Sequence, residues 1–283
     1  MKKGLGIHKI IMFVALFLCV GTLTVTSAAT VKDTEQTTGT SKTVKKTTTK
    51  KKAAKKSKKK KGKLIQKNGY TYYKKNGKII KKRFIKIKGK TYHFGKDGTM
   101  TMGWLCSRGE YYCFSRVNGK MFKNRKVDGI QLDKNGKAEK TEANVEKIKT
   151  MIRARLQMRK ICKMSDSKEV KLRKCFDWVA QVPYKRYRFL NKIYNEKGWE
   201  CTFANDIFQK GDGCCVSEAA ALAFMVHECG YKNVYVAHDT EHAWMELGGR
   251  VYDTLFARSK DYEKYYNLSY SKYNCHTVDK RKI

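Results

Sequence analysis

Cys215, His242 and Asp253 follow one another in an order that supplies a thiol nucleophile, a base and a group to orient that base. A thiol reacts as its thiolate, so its surroundings must favour the charge. Gly213-Cys214-Cys215 opens an apolar, alanine-rich segment, Val216–Cys229, that ends at Gly230. This pattern predicts a helix with Gly230 beyond its C-terminus and Cys215 at its start, where unpaired N–H groups and the helix dipole favour an anion. Residues 233–237 and 242–247 read as strands, and 250–256 as the return strand after a two-residue Gly248-Gly249 turn. That turn pairs residues whose numbers sum to 497, so Trp244 faces Asp253. His242 lies two residues from Trp244 on the same face, a diagonal neighbour of Asp253.

Helical periodicity also chooses between the adjacent cysteines. Cys215, Ala219, Leu222, Ala223 and Val226 form one stripe to pack on the sheet that carries His242, and Cys214 falls off it. Cys215 is therefore the expected nucleophile and Cys214 a packed neighbour. Each residue alone also has an ordinary reading: a buried thiol, a core histidine, a capping aspartate. Their joint order and spacing favour chemistry. A zinc site from His238, His242, Cys214 and Cys215 is a third reading, although the two histidines are not on a regular helical face. Upstream, 142–163 and 169–180 carry helical apolar spacing, so residues 140–283 read as one α+β domain.

In three blocks this domain resembles the transglutaminase-like superfamily, which shares the papain-type Cys-His-Asp arrangement. They are Gly213-Cys214-Cys215-Val216-Ser217-Glu218-Ala219, His242-Ala243-Trp244 and Val251-Tyr252-Asp253, with Phe176-Asp177-Trp178-Val179 and Val182-Pro183-Tyr184 upstream. The resemblance implies helices packed on an antiparallel sheet, with Cys215 as nucleophile, His242 as base and Asp253 as its orienter. It implies a cysteine acyltransferase or amide or peptide hydrolase working through a thioester on a protein or peptide substrate, with no cofactor. The same superfamily contains inactive members, so a non-catalytic surface-binding protein is the alternative.

Residues 64–139 repeat every 20 residues: Gly69, Gly89, Gly109 and Gly129; Tyr72, Tyr92 and Tyr112; Phe84 and Trp104. Asn76-Gly77, Asp97-Gly98 and Asn118-Gly119 are tight-turn signals, so each unit is a short hairpin. One hairpin is marginal alone, and stacking must bury its aromatics. Gly-Lys-Thr-Tyr-His-Phe, Asp-Gly-Thr-Met and Gly103-Trp104 resemble the cell-wall-binding repeats of choline-binding and glucan-binding proteins. The resemblance implies an all-β solenoid, separable from the following domain, with Tyr72, Tyr92, Trp104 and Tyr112 as wall-ligand contacts. Cys113 and Lys74 stand where that family carries aromatics. The other reading of any one aromatic is filling of the stack.

The N-terminus sets the compartment. Lys2, Lys3 and Lys9 precede an apolar run from Ile10 to Val25, then Ser27-Ala28-Ala29, the order of a secretory signal over residues 1–29. An uncleaved anchor is the other reading of that run. No further stretch is apolar enough to span a bilayer, so no transmembrane segment is expected after cleavage. Residues 30–63 hold 14 Lys against two acids and no aromatic, and read as an extended, disordered linker. Its share of the net charge of +38 points to an anionic surface such as wall polymer or lipid headgroups, and a plain soluble spacer is the equal alternative. Nucleic acid is excluded as partner by export and by a Lys-only run without Arg or aromatics. The expected molecule is secreted and held at the cell surface by wall polysaccharide or polymer. Ten cysteines include Cys19 in the signal, and one reactive thiol among the other nine leaves an even number for disulfides. Cys106 and Cys113 read as near neighbours across adjacent strands.

Overall fold

The computed structural model describes residues 62–283; the signal of 1–29 and nearly all of the 30–63 linker lie outside the described residues. No helix among the described residues is long and apolar enough to cross a membrane.

Four hairpins come first. They are β1 (Lys63–Lys67) with β2 (Tyr70–Lys75) and β3 (Lys78–Ile79), β4 (Arg83–Ile87) with β5 (Lys90–Phe94), β6 (Gly103–Ser107) with β7 (Glu110–Phe114), and β8 (Arg125–Val127) with β9 (Ile130–Leu132). The 20-residue glycine spacing is a turn spacing. At 68–69, 88–89, 108–109 and 128–129 both turn residues have positive φ, the geometry that matches strand twist and favours glycine second. Successive units hook together through bridges such as Tyr72 to Thr99 and Tyr112 to Lys137. Cys106 stands across from Tyr111 and Cys113 across from Trp104, so the two cysteines are diagonal, one exposed and one buried, and both are free thiols.

The C-terminal part begins with α1 (Glu142–Ile161) and α2 (Lys168–Val179), whose N-caps Thr141 and Ser167 accept from the third N–H of each helix. After α3 (Trp199–Asn205) comes α4 (Cys215–Glu228), ended by Gly230 at φ 93°. Every residue of α4 except His227 is buried. A helix apolar on all sides needs partners all round: α1, α2 and α3 surround it together with β10 (Val234–His238) and β11 (Ala243–Leu247). The sheet continues through β12 (Arg250–Tyr252), β13 (Leu268–Ser269) and β14 (Asp279–Lys282) in the order β13-β12-β11-β10-β14, antiparallel throughout. Met245 pairs with Tyr252 and Leu247 with Arg250, the register that the Gly248-Gly249 turn dictates.

Two expectations change. The return strand stops at Tyr252 rather than running to residue 256, because Asp253 caps α5 (Thr254–Ser259): its Oδ1 accepts from the Phe256 N–H at 2.9 Å. The second change is that the later repeats are not separate from the C-terminal part. Tyr73, Tyr92, Phe94 and Met100 form a small core of their own, but Trp104, Cys113, Ile130 and Leu132 belong to the same core as α1 and α4. A polar seam runs alongside. Arg116 donates to Glu228 at 2.6 Å and to Asp128 at 3.0 Å, His227 meets Asp128 at 3.0 Å, and Arg155 donates to the Met102 and Trp104 carbonyls. Glu228 sits at the C-terminal end of α4, where the dipole disfavours a carboxylate, and the arginines offset that. Burial works to raise the Asp128 pKa, but the hydrogen bond from His227 and the charge of Arg116 hold it well below the usual range. Gly103 has φ 68°, and a Cβ there would meet Arg155 Nη1 at 2.7 Å and Glu228 Oε2 at 2.8 Å, so only glycine fits.

Candidate active site

Cys214 is the N-cap of α4 and Cys215 its first helical residue, 2% and 3% exposed. The preceding chain is fixed against residues 183–185: the Gly213 N–H donates to the Pro183 carbonyl and Lys185 N–H to the Gly213 carbonyl. The two thiols diverge. Cys214 Sγ lies 3.7 Å from Ser217 Oγ, which donates to Asp206. The Cys215 thiol lies by the Ala243 N–H, next to His242, so it is Cys215 that faces the hairpin. The two thiols are nevertheless close enough for their charges to interact. That contact, with N–H groups of Ser217 and Val216 and against burial, holds Cys214 below the usual thiol range. Its counterpart, reinforced by burial and by the neighbouring charge, pushes the Cys215 thiol up. The pair carries one negative charge more readily than two.

His242 immediately precedes β11 and Asp253 immediately follows β12, so the antiparallel pairing brings together residues 11 apart in sequence. His242 Nε2 and Asp253 Oδ2 are 2.7 Å apart, with Asp253 1% exposed. A carboxylate accepts, so Nε2 carries the hydrogen and Nδ1 is left as the basic nitrogen. Asp253 is itself saturated: Oδ2 also accepts from the Tyr273 hydroxyl at 2.8 Å and Oδ1 from Phe256 N–H. The Phe256 ring lies on the imidazole at 4.3 Å, nearly parallel. Asp239 Oδ1 accepts from the His242 backbone N–H at 2.6 Å and fixes the loop that carries the ring. Behind the site, Glu218 accepts from the Thr254 hydroxyl at 2.7 Å and from Arg258 at 2.8 Å, clamping α4 to α5. Burial raises the Glu218 pKa to about 7 despite those two donors.

A cavity of about 450 Å³ opens onto this group. Cys214, Cys215 and His242 line it together with Arg186, Phe189 and Glu241. Phe189 is 57% exposed, with the Arg186 guanidinium over its ring at 5.2 Å from the centroid. Such an arrangement places a thiol at a helix N-terminus, an oriented imidazole and an open space for a carbonyl within one site. Tyr273, Phe256 and the Glu218 clamp had no signal in the sequence: Tyr273 lies in a tyrosine-rich tail with no regular spacing, 20 residues from Asp253. The zinc donors are not brought together. His238 turns its ring against Trp199 and its Nδ1 to the Asp239 carbonyl, and among the described residues no three His, Cys, Asp or Glu side chains are arranged to hold a metal.

The expected wall-contact aromatics divide. Trp104 is 0% exposed, and its indole N–H donates to Asp128 at 2.8 Å; Tyr92 is buried as well. These two fill the core, since stacking each unit on the next and on α1 takes up their rings. Tyr72 and Tyr112 keep partial exposure, with Tyr112 edge-on to Phe84 at 5.1 Å.

Residues 84–125 match the family described as choline-binding repeat. This match falls on the hairpins and supports the repeat assignment for that stretch. No curated protein matches the chain. Among solved structures, the choline-binding domain of a Streptococcus pneumoniae protein is 23% identical over 27% of this chain and 93% of that one, at TM-score 0.26. Choline binding protein F from Streptococcus pneumoniae is 28% identical over 27% of each chain, at TM-score 0.25. The modular Cpl-1 endolysin complexed with a peptidoglycan analogue is 23% identical over 28% of this chain and 24% of that one, at TM-score 0.26. The chain spans about a quarter of the length of these last two.

Proposed function

We propose that this chain is a secreted, cell-wall-associated cysteine enzyme of transglutaminase-like type, held at the wall by its repeats. The observation that carries the catalytic part is the 2.7 Å His242–Asp253 pair in one cavity with a cysteine at the first position of a buried helix. Cys215 Sγ attacks an amide or peptide carbonyl carbon, and the C–N bond breaks as His242 passes its proton to the departing amine. Water or an acceptor amine, deprotonated by His242, then attacks the thioester and restores the thiolate. The Cys215 N–H, one of the unpaired first-turn donors, faces the developing oxyanion. The match of 84–125 to choline-binding repeats supports wall attachment. A non-catalytic wall-binding protein is the second reading, favoured by the raised pKa of the buried Cys215 thiol.

Alkylation by iodoacetamide at pH 7 separates the two. In an enzyme, Cys215 is labelled, and His242→Ala and Asp253→Asn slow the labelling while leaving the fold intact. Turnover of an amide substrate falls by roughly 10²–10⁴-fold in either variant, the usual contribution of an acid–base group. Labelling unaffected by both substitutions supports the non-catalytic reading.

A further inference from the structure

Away from the cavity, three thiols meet where three helices end or pass. Cys162 is the C-cap of α1, Cys175 lies within α2, and Cys229 is the C-cap of α4. Cys175 Sγ and Cys229 Sγ are 4.0 Å apart, and Cys162, whose Sγ donates to the Lys171 carbonyl at 3.9 Å, is the third thiol near Cys175. Cys175 is completely buried, while Cys229 is partly exposed. We propose that Cys175 and Cys229 form a redox site, closing a disulfide that ties the C-terminal end of α4 to α2. Bonded sulfurs stand about 2.05 Å apart, so the thiols must approach by roughly 2 Å. Side-chain rotation supplies movement of that size, and Cys229 lies in the last turn of its helix, where the backbone is least constrained.

The oxidant is an external disulfide of the glutathione class, which an exported chain meets outside the reducing cytosol. The Cys229 thiolate attacks one of its sulfurs, forming a mixed disulfide and expelling one thiolate. Cys175 then attacks the Cys229 sulfur, and its proton goes to the departing external sulfur, which leaves as a thiol. Two protein thiols lose two electrons and two protons, and the external disulfide becomes two thiols. Exposure orders the steps, because the buried Cys175 cannot meet the oxidant first. The three cysteines stand apart from Cys214 and Cys215, so this inference does not depend on catalysis.

The test equilibrates the full chain in glutathione buffers from fully reduced to fully oxidised, blocks remaining thiols with N-ethylmaleimide and maps the linkages by mass spectrometry. Trypsin alone leaves Cys214, Cys215 and Cys229 in one peptide, Gly211–Lys232; adding cleavage after Glu218 and Glu228 separates them. The expected result is a Cys175–Cys229 link in the oxidised sample, still present in Cys162→Ser and absent from Cys229→Ser. Oxidation should raise the melting temperature of the wild type and of Cys162→Ser but not of Cys229→Ser. A Cys162–Cys175 link in its place, or no link at the oxidising limit, overturns the proposal.

Discussion

Two adjacent thiols at the start of one helix compete for a single negative charge. The N-cap position favours Cys214, whose sulfur is within reach of the Ser217 and Val216 N–H groups, and its contact with Cys215 pushes the Cys215 thiol up. Position relative to the base favours Cys215, which lies beside Ala243 and so beside His242. Charge and position are therefore divided between neighbours. Removing Cys214 removes the largest influence that raises Cys215. The expected outcome is that Cys214→Ala speeds iodoacetamide labelling of Cys215 at pH 7, by about tenfold for each unit its pKa falls. Cys215→Ala abolishes His242-dependent labelling. A Cys214→Ala variant that is silent, with Cys215→Ala still His242-dependent, would make Cys214 the nucleophile. The 100° step of the helix separates these residues in space, but sequence offers no view of their shared proton. That depends on which N–H groups and which sulfur lie nearest, and on burial.

The elements that carry the site are joined by one carboxylate. Glu218 lies one turn after Cys215 on α4 and receives Thr254 and Arg258 of α5, whose N-cap is Asp253. The clamp thus sets the distance between the helix of the thiol and the residue that holds the base. Its pH dependence has a definite sign. The Glu218 carboxyl titrates near 7 in the folded chain, raised by burial, against about 4.3 when unfolded. Between these values the folded state keeps a proton the unfolded state has lost, so stability contributed at this position is highest at the acid end and falls as pH rises through 7. The slope from this one group is at most about 1.4 kcal/mol per pH unit. Glu218→Gln should flatten the fall in urea midpoint between about pH 4.5 and pH 7, and an unchanged slope would show that other groups set it. The hairpin register was legible because a Gly-Gly turn allows only one pairing. The switch from strand to α5 was not, because Val-Tyr-Asp-Thr-Leu-Phe suits either element and only the Asp253–Phe256 bond decides.

At the scale of the molecule, the 20-residue period showed where the hairpins are but not where their independence ends. A repeat signal reports turns and stacked aromatics; it does not report that the exposed end of the stack lies on a second domain. Arg116 and Glu228, 112 residues apart, carry no pattern that would connect them. Their burial makes the connection consequential. Removing one partner of a buried pair strands the other charge at a cost of about 3–5 kcal/mol, whereas an exposed pair such as Arg173–Glu263 contributes little because water screens it. The apolar part of the seam is larger still: Trp104, Ile130 and Leu132 each contribute about 1.5–3 kcal/mol by burial, against a whole-domain stability of about 5–15 kcal/mol. Two truncations follow from this difference. A chain starting at Thr101 loses only the first two hairpins, whose core of Tyr73, Tyr92, Phe94 and Met100 is their own, and it should melt cooperatively a few degrees below the full chain. A chain starting at Thr141 keeps every candidate catalytic residue but uncovers the α1 and α4 surfaces that the last two hairpins bury. It should lose its cooperative transition and aggregate, as followed by circular dichroism and light scattering. If the Thr141 chain instead melts as sharply as the Thr101 chain, the shared core does not stabilise the C-terminal part and the repeats are a detachable anchor.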